Sequence, residues 1–262
     1  MCYDVSFTVN VRQLLDYFPE LIFDSQLNID FGMMDHIQGV GVFGQYPIIF
    51  AGKEDNLLHC GFADWGIVEH FFTELPGMPK RNGMLNIRAG RILDDPKSYW
   101  YKIRTKRCLI PVTGIFEHRE VKGWKKKVPY WVRPCQQAVT FLPGLKSVAH
   151  IVDKETGELI KMQTFGVITT AANAVMKNIH NGGTNRHRMP LFLPLELARE
   201  FVSPHLSDAR YREILSYEMP SDELTYHPVY TIRTAKMRED NKAKNEPYEW
   251  AKLPLLGEMN PD

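Results

Sequence analysis

The chain carries at residues 107–117 the apolar segment RCLIPVTGIFE. Residues 107–111 and 114–117 are short runs of strand-forming residues, and they predict two strands around Val112-Thr113. Further strands are predicted at residues 39–50, 129–132, 138–142, 164–169, 188–193 and 224–232. Many short strands with few helices favour a single α+β domain around a curved, mainly antiparallel sheet.

Apolar periodicity predicts a few short helices around this sheet. Residues 11–18 place apolar side chains on one helical face, with Asn10 as the N-cap and Pro19 as the stop. Residues 172–179 predict a second helix that ends at His180, just before the stop signal Asn-Gly-Gly. We expect residues 1–235 to form the domain and residues 236–262 to be a polar, irregular tail.

Composition narrows the class of protein. The chain has 262 residues, 44% of them hydrophobic and 24% charged, with a formal net charge of +1. Any nucleic-acid surface must therefore be a local patch. The four cysteines form no Cys-x-x-Cys pair, so neither a zinc site nor a disulfide framework is predicted. There is no signal peptide pattern and no apolar run of about 20 residues. A reduced, cytoplasmic protein is expected.

Cys2 is the first residue with distinctive chemistry. If Met1 is removed, Cys2 carries a free α-amine and a thiol on adjacent carbons. The amine forms an imine with an aldehyde, and the thiol closes a five-membered thiazolidine. An α-amine titrates near ~8 and a thiol near ~8.5, so both are expected to have usable reactive fractions at neutral pH. The alternative is an inert cysteine at position 2.

Glu117 and His180 are candidate acid/base residues. Glu117 follows the apolar residues 114–116, so it is either a solvent-facing carboxylate or a buried one with a raised pKa. His180 ends a predicted helix, where the helix dipole favours an imidazolium that donates protons. It is otherwise a simple capping residue. His187 is the competing candidate.

Asn86 and Arg88 alternate along a predicted strand and so share one face. An amide and a guanidinium together suit a phosphodiester and its sugar. Basic residues near 99–107 and 124–127 alternate with tyrosine and tryptophan, a mix that suits single-stranded nucleic acid. A solvated surface is the alternative for both features.

Together these residues resemble the SOS response-associated peptidase family, abbreviated SRAP. The resemblance runs over roughly residues 1–232. It rests on five segments: Met1-Cys2; Trp65-Gly66-Ile67-Val68; Asn86-Ile87-Arg88-Ala89; residues 107–111 with 114–117; and Thr169-Thr170-Ala171-Ala172-Asn173 with Met176, Ile179-His180 and Arg188-Met189-Pro190. It implies one domain with a barrel-like β core and peripheral helices. It also implies covalent capture of abasic sites in single-stranded DNA, after the chain removes its own Met1.

The resemblance also implies residue roles. Cys2 would be the nucleophile, Asn86 would position the N-terminus and sugar, Glu117 would shuttle protons, and His180 would be the acid/base for sugar opening and cross-link reversal. Contacts to DNA would come from Trp65, Arg88, Arg91 and Arg188. No cofactor or metal is expected. The expected partners are abasic single-stranded DNA and the replication machinery, with no membrane, for a monomer that joins the nucleoid when bound to DNA.

The chain departs from the family pattern at three places. Tyr3-Asp4 replaces the usual Gly-Arg, which puts an acidic side chain close to the expected phosphate position. Gly90 stands where the family often has glutamate. Residues 181–187 look like an insertion, which leaves the choice between His180 and His187 open. Two other functions remain possible: an N-terminal-nucleophile cysteine peptidase or amidohydrolase acting in trans, and a non-catalytic single-stranded nucleic-acid-binding module.

Overall fold

The computed structural model describes residues 2–24, 31–234 and 238–261. The strands, in chain order, are β1 (Asp4–Phe7), β2 (Ile22–Phe23), β3 (Met34–Gln38), β4 (Gln45–Ala51), β5 (Leu58–Trp65), β6 (Asn86–Arg88), β7 (Arg107–Val112), β8 (Gly114–Arg119), β9 (Val128–Pro134), β10 (Thr140–Val152), β11 (Leu159–Ala171), β12 (Arg188–Pro190) and β13 (Leu224–Pro228). The helices are α1 (Met78–Gly83), α2 (Gly90–Leu93), α3 (Tyr99–Lys102), α4 (Ala174–Ile179), α5 (Leu195–Val202) and α6 (Asp208–Leu215), with 3-10 helices at Val11–Asp16 and Ser221–Glu223.

Five strands close into a barrel. The larger sheet has the order β12-β11-β10-β7-β4-β5-β2, and β11 also pairs with β5. Strands β11, β10, β7, β4 and β5 therefore form a ring without a free edge. Its pairings are antiparallel except for the parallel contact between β11 and β5. The predicted single α+β domain with a barrel-like, mainly antiparallel core is confirmed.

The ring closes at a pair of buried aromatic side chains. Phe165 of β11 lies opposite Trp65 of β5, and their rings stack with centroids 5.9 Å apart. Gly66 follows directly with a φ of +111°, a backbone conformation that side chains disfavour, and its amide donates to the Phe165 carbonyl. This turn lets the chain leave the barrel immediately after the closing pair.

A second sheet, of order β13-β9-β8-β1-β3, carries the N-terminus. The segment that predicted two strands passes from the barrel (β7) into this sheet (β8) at Thr113. The Thr113 hydroxyl lies 3.0 Å from that of Ser6, and its amide donates to the Ser6 carbonyl. Antiparallel pairing of Asp4 with Phe116 then sets the start of β1 beside the second half of β8. Cys2 and Glu117 are thereby brought into one neighbourhood.

Two local predictions need correction. Residues 39–50 are a strand only from Gln45, because Gly41 and Phe43 have φ values of +75° and +53° and turn the chain. Residues 11–16 form a 3-10 helix rather than an α-helix. The Asn10 cap is correct: its side chain accepts from the Arg12 amide, and the Gln13 side chain completes a capping box.

Residues 238–261 contain no assigned helix or strand, but they pack closely on the sheets. The Trp250 indole donates to the Val229 carbonyl. Arg119 is fully buried, and its guanidinium donates to the carbonyls of Pro254, Leu255 and Glu258 at 3.0, 2.8 and 2.6 Å. This segment therefore covers a charged group of β8. The domain boundary at residue 235 stays a prediction, and residues 235–237 lie outside the described residues.

Candidate functional site

A cleft of about 440 Å³ opens where β1, β8 and the loop after α4 meet. Its lining combines carboxylates, imidazoles and cationic side chains: Tyr3, Asp4, Glu117, His118, Lys127, His180, Gly182, Gly183, Thr184, Asn185 and Arg233. Two of the predicted catalytic residues, Glu117 and His180, face each other across it. The sequence places them 63 positions apart, so only the fold brings them together.

Glu117 is a buried carboxyl. It lies on β8 and is only 4% exposed. Burial raises its pKa to about 7, because the ionised form loses its hydration. A carboxyl that titrates near neutral pH can both give and take a proton under cellular conditions. Of the two alternatives for Glu117, the structure supports the buried carboxyl with a raised pKa.

His180 is the C-cap of α4 and is 8% exposed. Its Nδ1 lies 2.8 Å from the Arg188 carbonyl oxygen. A carbonyl can only accept, so Nδ1 carries the proton and donates, and Nε2 keeps a lone pair. Nε2 lies 4.0 Å from Oε2 of Glu117. The ring is therefore oriented by the backbone with its basic nitrogen towards the carboxyl.

The expectation that His180 is an imidazolium at neutral pH is wrong. Burial lowers its pKa to about 4. Helix α4 has only six residues, and desolvation of the ring outweighs the attraction of its C-terminus for positive charge. His180 is thus a neutral proton acceptor at Nε2, and Glu117 is the better proton donor of the pair.

His187 lies apart from this pair. Its side chain is exposed, and its backbone has a φ of +62°. Its amide donates to the carbonyl of His180, which closes the loop of residues 181–187. Asn181 anchors the same loop, since its side chain accepts from the Glu120 amide and donates to the Glu120 carbonyl. The geometry thus favours His180 over His187, and the catalytic role stays a prediction.

Cys2 is completely buried. Burial raises the pKa of its thiol well above the usual value, and the nearby Glu117 carboxylate adds to the rise. The expectation of a usable thiolate fraction at neutral pH is therefore wrong for this environment, and the thiol is protonated. The predicted removal of Met1 concerns a residue outside the described residues.

Asn86 connects Cys2 to the barrel. Strand β6 runs parallel to β11, with Asn86 opposite Val167. The Asn86 amide nitrogen donates to the Cys2 carbonyl over 2.9 Å. Its Oδ1 is buried and accepts no hydrogen bond from the described residues. Asn86 thus holds the Cys2 backbone and keeps an acceptor beside it.

Asp4, the acidic departure from the family pattern, does not present a free negative charge. It is 1% exposed. Its Oδ1 lies 2.9 Å from Nε2 of His36 and 3.0 Å from Nε of Arg233, and its Oδ2 accepts from Nη2 of Arg233. Burial opposes ionisation, but these hydrogen bonds prevail and lower the pKa of Asp4. Its carboxylate is neutralised within the cleft wall.

Three arginines were predicted to contact DNA. Exposed Arg88 donates to Oδ1 of Asn185, a cleft residue, over 3.3 Å. Arg188 lies on the other side of β11 and donates to the carbonyl and hydroxyl of Thr169. Arg91 is exposed and pairs with Asp95 at 3.3 Å. Arg88 and Arg188 therefore flank one end of β11, whereas Arg91 lies on α2.

Trp65 has a core position. Its ring is 2% exposed, stacks on Phe165 and donates through Nε1 to the Leu85 carbonyl. A base cannot reach either ring face in this arrangement. The predicted contact with a base stays untested, and the observed packing makes Trp65 part of the barrel closure.

Sequence reasoning did not identify several cleft residues. His118 and Arg233 line the cleft without any motif that marks them, whereas Lys127 belongs to the basic cluster predicted at residues 124–127. Strand alternation gave no signal for His118, because neighbouring residues of a strand point to opposite faces of the sheet. Arg233 had no signal, since 229 positions separate it from Asp4. None of the helices in the described part of the chain has the length and the apolar composition of a membrane span.

Comparison with known proteins identifies the family of this chain. The family model described as SOS response associated peptidase (SRAP) matches residues 1–232. The chain belongs to this family. Relatives include abasic site processing protein YoqW of Bacillus subtilis strain 168 and of Bacillus phage SPbeta, each 26% identical over 149 residues. Abasic site processing protein YobE of Bacillus subtilis is 25% identical over 149 residues.

These sequence matches are partial. They cover 57% of this chain and 61 to 62% of the relatives' own length. Similar solved structures cover more of this chain. A Bacteroides thetaiotaomicron protein covers 94% of this chain and 97% of its own, with a TM-score of 0.73 and 25% identity. A Bordetella bronchiseptica protein covers 88% and 100%, with a TM-score of 0.62 and 15% identity, and supports the fold alone.

Proposed function

We propose that this protein senses abasic sites in single-stranded DNA and captures them covalently through Cys2 after removal of Met1. The observation that carries the proposal is that Glu117 and His180 face each other in the cleft, while Cys2, held by Asn86, lies buried near Glu117. Family membership supports it, as do relatives that are called abasic site processing proteins. The peptidase in the family's description would then correspond to the removal of the protein's own Met1.

The covalent step begins with the aldehyde of the abasic sugar. The closed sugar opens when its ring oxygen gains a proton and its anomeric hydroxyl loses one. Protonated Glu117 is suited to give the first proton, and Nε2 of His180 is suited to accept the second. The 4.0 Å between Nε2 and the carboxyl oxygen leaves the two groups close enough to act on one sugar.

The Cys2 amine then attacks the aldehyde carbon, and water leaves as the imine forms. The thiol adds to the imine carbon, so that a C–S bond forms, the C=N double bond becomes single, and the thiol proton ends on nitrogen. Because the buried thiol is protonated, this transfer needs a base beside it. Glu117, with a pKa of about 7, provides one in its ionised form. Imine formation releases one water molecule, and the addition of the thiol releases nothing.

Asn86 has a positioning role in this scheme. Its amide nitrogen fixes the Cys2 carbonyl, and its buried Oδ1 is an acceptor for the amine that appears when Met1 leaves. An amine that donates to Oδ1 keeps its lone pair directed elsewhere, towards the sugar. An unfilled buried acceptor is costly, which favours such a partner.

The proposal is tested by mixing the protein with a single-stranded oligonucleotide that bears one abasic site. A denaturation-resistant adduct is expected, and intact-mass spectrometry should find it only on protein that lacks Met1. Cys2→Ser and Cys2→Ala, if Met1 is still removed, should yield only an imine that borohydride traps, because neither forms a thiazolidine. An adduct on protein that retains Met1 would contradict the mechanism. Absence of any adduct would favour a trans-acting peptidase or a non-catalytic binding module.

A further inference from the structure

Arg233 is a cleft residue that lies just beyond the residues matched by the family model, which end at 232. It is fixed at one end: Nε and Nη2 each donate to a different oxygen of Asp4. Asp4 itself is nearly inaccessible, with 2% of its side chain exposed, whereas 37% of the Arg233 side chain is exposed. The pair thus anchors a guanidinium in the wall of the cleft and leaves part of it open.

The chemistry of a guanidinium determines what it would bind there. It has five N–H donors in a rigid fork, and Asp4 takes two of them. Anions that offer two oxygens side by side, such as carboxylates and phosphates, match the fork best, and the phosphates are the ones that DNA supplies. A sugar held between Glu117 and His180 would have its flanking phosphates within one nucleotide of the same cleft.

We propose that Arg233 binds a backbone phosphate next to the abasic sugar and that Asp4 holds it in position for this contact. This inference rests on the proposed function. Asp4 would then not repel the phosphate but hold the arginine that binds it. Arg88, which donates to the cleft residue Asn185, lies at a different part of the rim and would contact the strand separately.

A simpler explanation is that Arg233 only neutralises the buried Asp4. The two explanations differ in what happens when both charges are removed. Arg233→Gln alone leaves Asp4 with one fewer partner, so the fold itself is at risk. The double variant Asp4→Asn/Arg233→Gln removes the buried carboxylate and the guanidinium together. If neutralisation is the whole role, the double variant binds DNA like the wild type.

The experiment measures the dissociation constant of a single-stranded oligonucleotide with a tetrahydrofuran abasic analogue, which has no aldehyde for Cys2 to capture, over a range of salt concentrations. Arg233→Gln and the double variant are both expected to bind about tenfold more weakly at low salt. Their salt slopes should be smaller by about 0.7, the value for one lost phosphate contact. The matched control is Arg210→Gln, because Glu200 also binds Arg210 through two hydrogen bonds, of 2.7 and 2.9 Å, outside the cleft. It should match the wild type.

A second arm identifies the phosphate. Oligonucleotides with a neutral methylphosphonate on the 5′ or the 3′ side of the abasic residue are compared. One of them should weaken wild-type binding about tenfold and have no further effect on Arg233→Gln. Wild-type affinity of the double variant, or equal losses in both proteins for both oligonucleotides, would overturn the inference. Failure of the proposed covalent capture is distinguishable, since it would abolish the adduct while these affinities remain measurable.

Discussion

At the scale of single residues, burial sets the protonation states in the cleft. Glu117 and His180 both avoid charge when desolvated, so the carboxyl rises to a pKa of about 7 and the imidazole falls to about 4. At neutral pH the pair therefore consists of a carboxyl near its midpoint and a neutral base. This is opposite to the assignment of donor and acceptor that the helix position of His180 suggested.

Glu117 should make the stability of the protein depend on pH. Its folded pKa lies above its unfolded value of about 4.3, so the unfolded state loses its proton first. The contribution of Glu117 to the free energy of unfolding is therefore largest below about pH 4, and it decreases as the pH rises to about 7. Glu117→Gln cannot ionise and so removes this pH dependence. The free energy of unfolding of the variant, relative to that of the wild type, should be about 2 kcal/mol higher at pH 8 than at pH 5. Denaturant titrations at both pH values measure it, and the same difference from the wild type at both would refute the buried carboxyl.

The assignment of the catalytic role to His180 rather than His187 can be tested by the rate of cross-linking. His180→Ala should slow single-turnover cross-linking by about a hundredfold, because it removes the base at Nε2. DNA affinity should change little, since the ring is buried. His187→Ala is the control and should react like the wild type, given its exposed side chain. A slow His187→Ala with a normal His180→Ala would reverse the assignment.

At the scale of elements, the short helix α4 determines where His180 stands. The side chain of Asn173 caps its first turn, accepting from the Met176 amide over 3.0 Å, and donates to the Met219 carbonyl over 2.8 Å. A six-residue helix has little stability of its own, so these contacts define it. The loop of residues 181–187 then returns the chain to β12 through the His187–His180 backbone bond.

Removal of this cap should affect both stability and chemistry. Asn173→Ala is expected to lower the free energy of unfolding by about 1 to 2 kcal/mol and to slow cross-linking, because His180 loses its fixed support. Ser207→Ala removes the cap of α6, where the serine accepts from the Arg210 amide. It should lower stability by about 1 kcal/mol and leave the rate unchanged. Thermal melts and single-turnover rates compare the two, and equal rates would contradict the positioning role of α4.

At the scale of the whole molecule, the barrel and the second sheet share the segment 107–119, and the C-terminal residues close the structure over it. Arg119 shows most clearly that the C-terminal residues cover this segment. A buried guanidinium needs hydrogen-bond partners, and Arg119 obtains three carbonyls from residues 254–258. The same C-terminal segment reaches the loop beside the cleft, since the Asn181 side chain donates to that of Asn260.

A chain that ends at residue 249 should therefore be clearly less stable. Loss of the three acceptors of Arg119 is expected to lower the free energy of unfolding by at least about 3 kcal/mol and Tm by about 10 °C. Leu255→Ala keeps the backbone carbonyl that Arg119 uses and trims a side chain that is 74% exposed. It should melt like the wild type, and a truncated chain with an unchanged Tm would show that the segment is dispensable.

The sequence by itself determined the strand-rich α+β class, the two strands around Val112-Thr113, the Asn10 cap and, through the resemblance, the candidates Cys2 and Glu117. These follow from periodicity, capping and motif order, which are local. It could not determine the closure of β11 on β5, the pairing of Asp4 with Arg233, or the pKa values of Glu117, His180 and Cys2. Pairing over long separations and desolvation depend on what surrounds a group in space, and only the tertiary structure decides that.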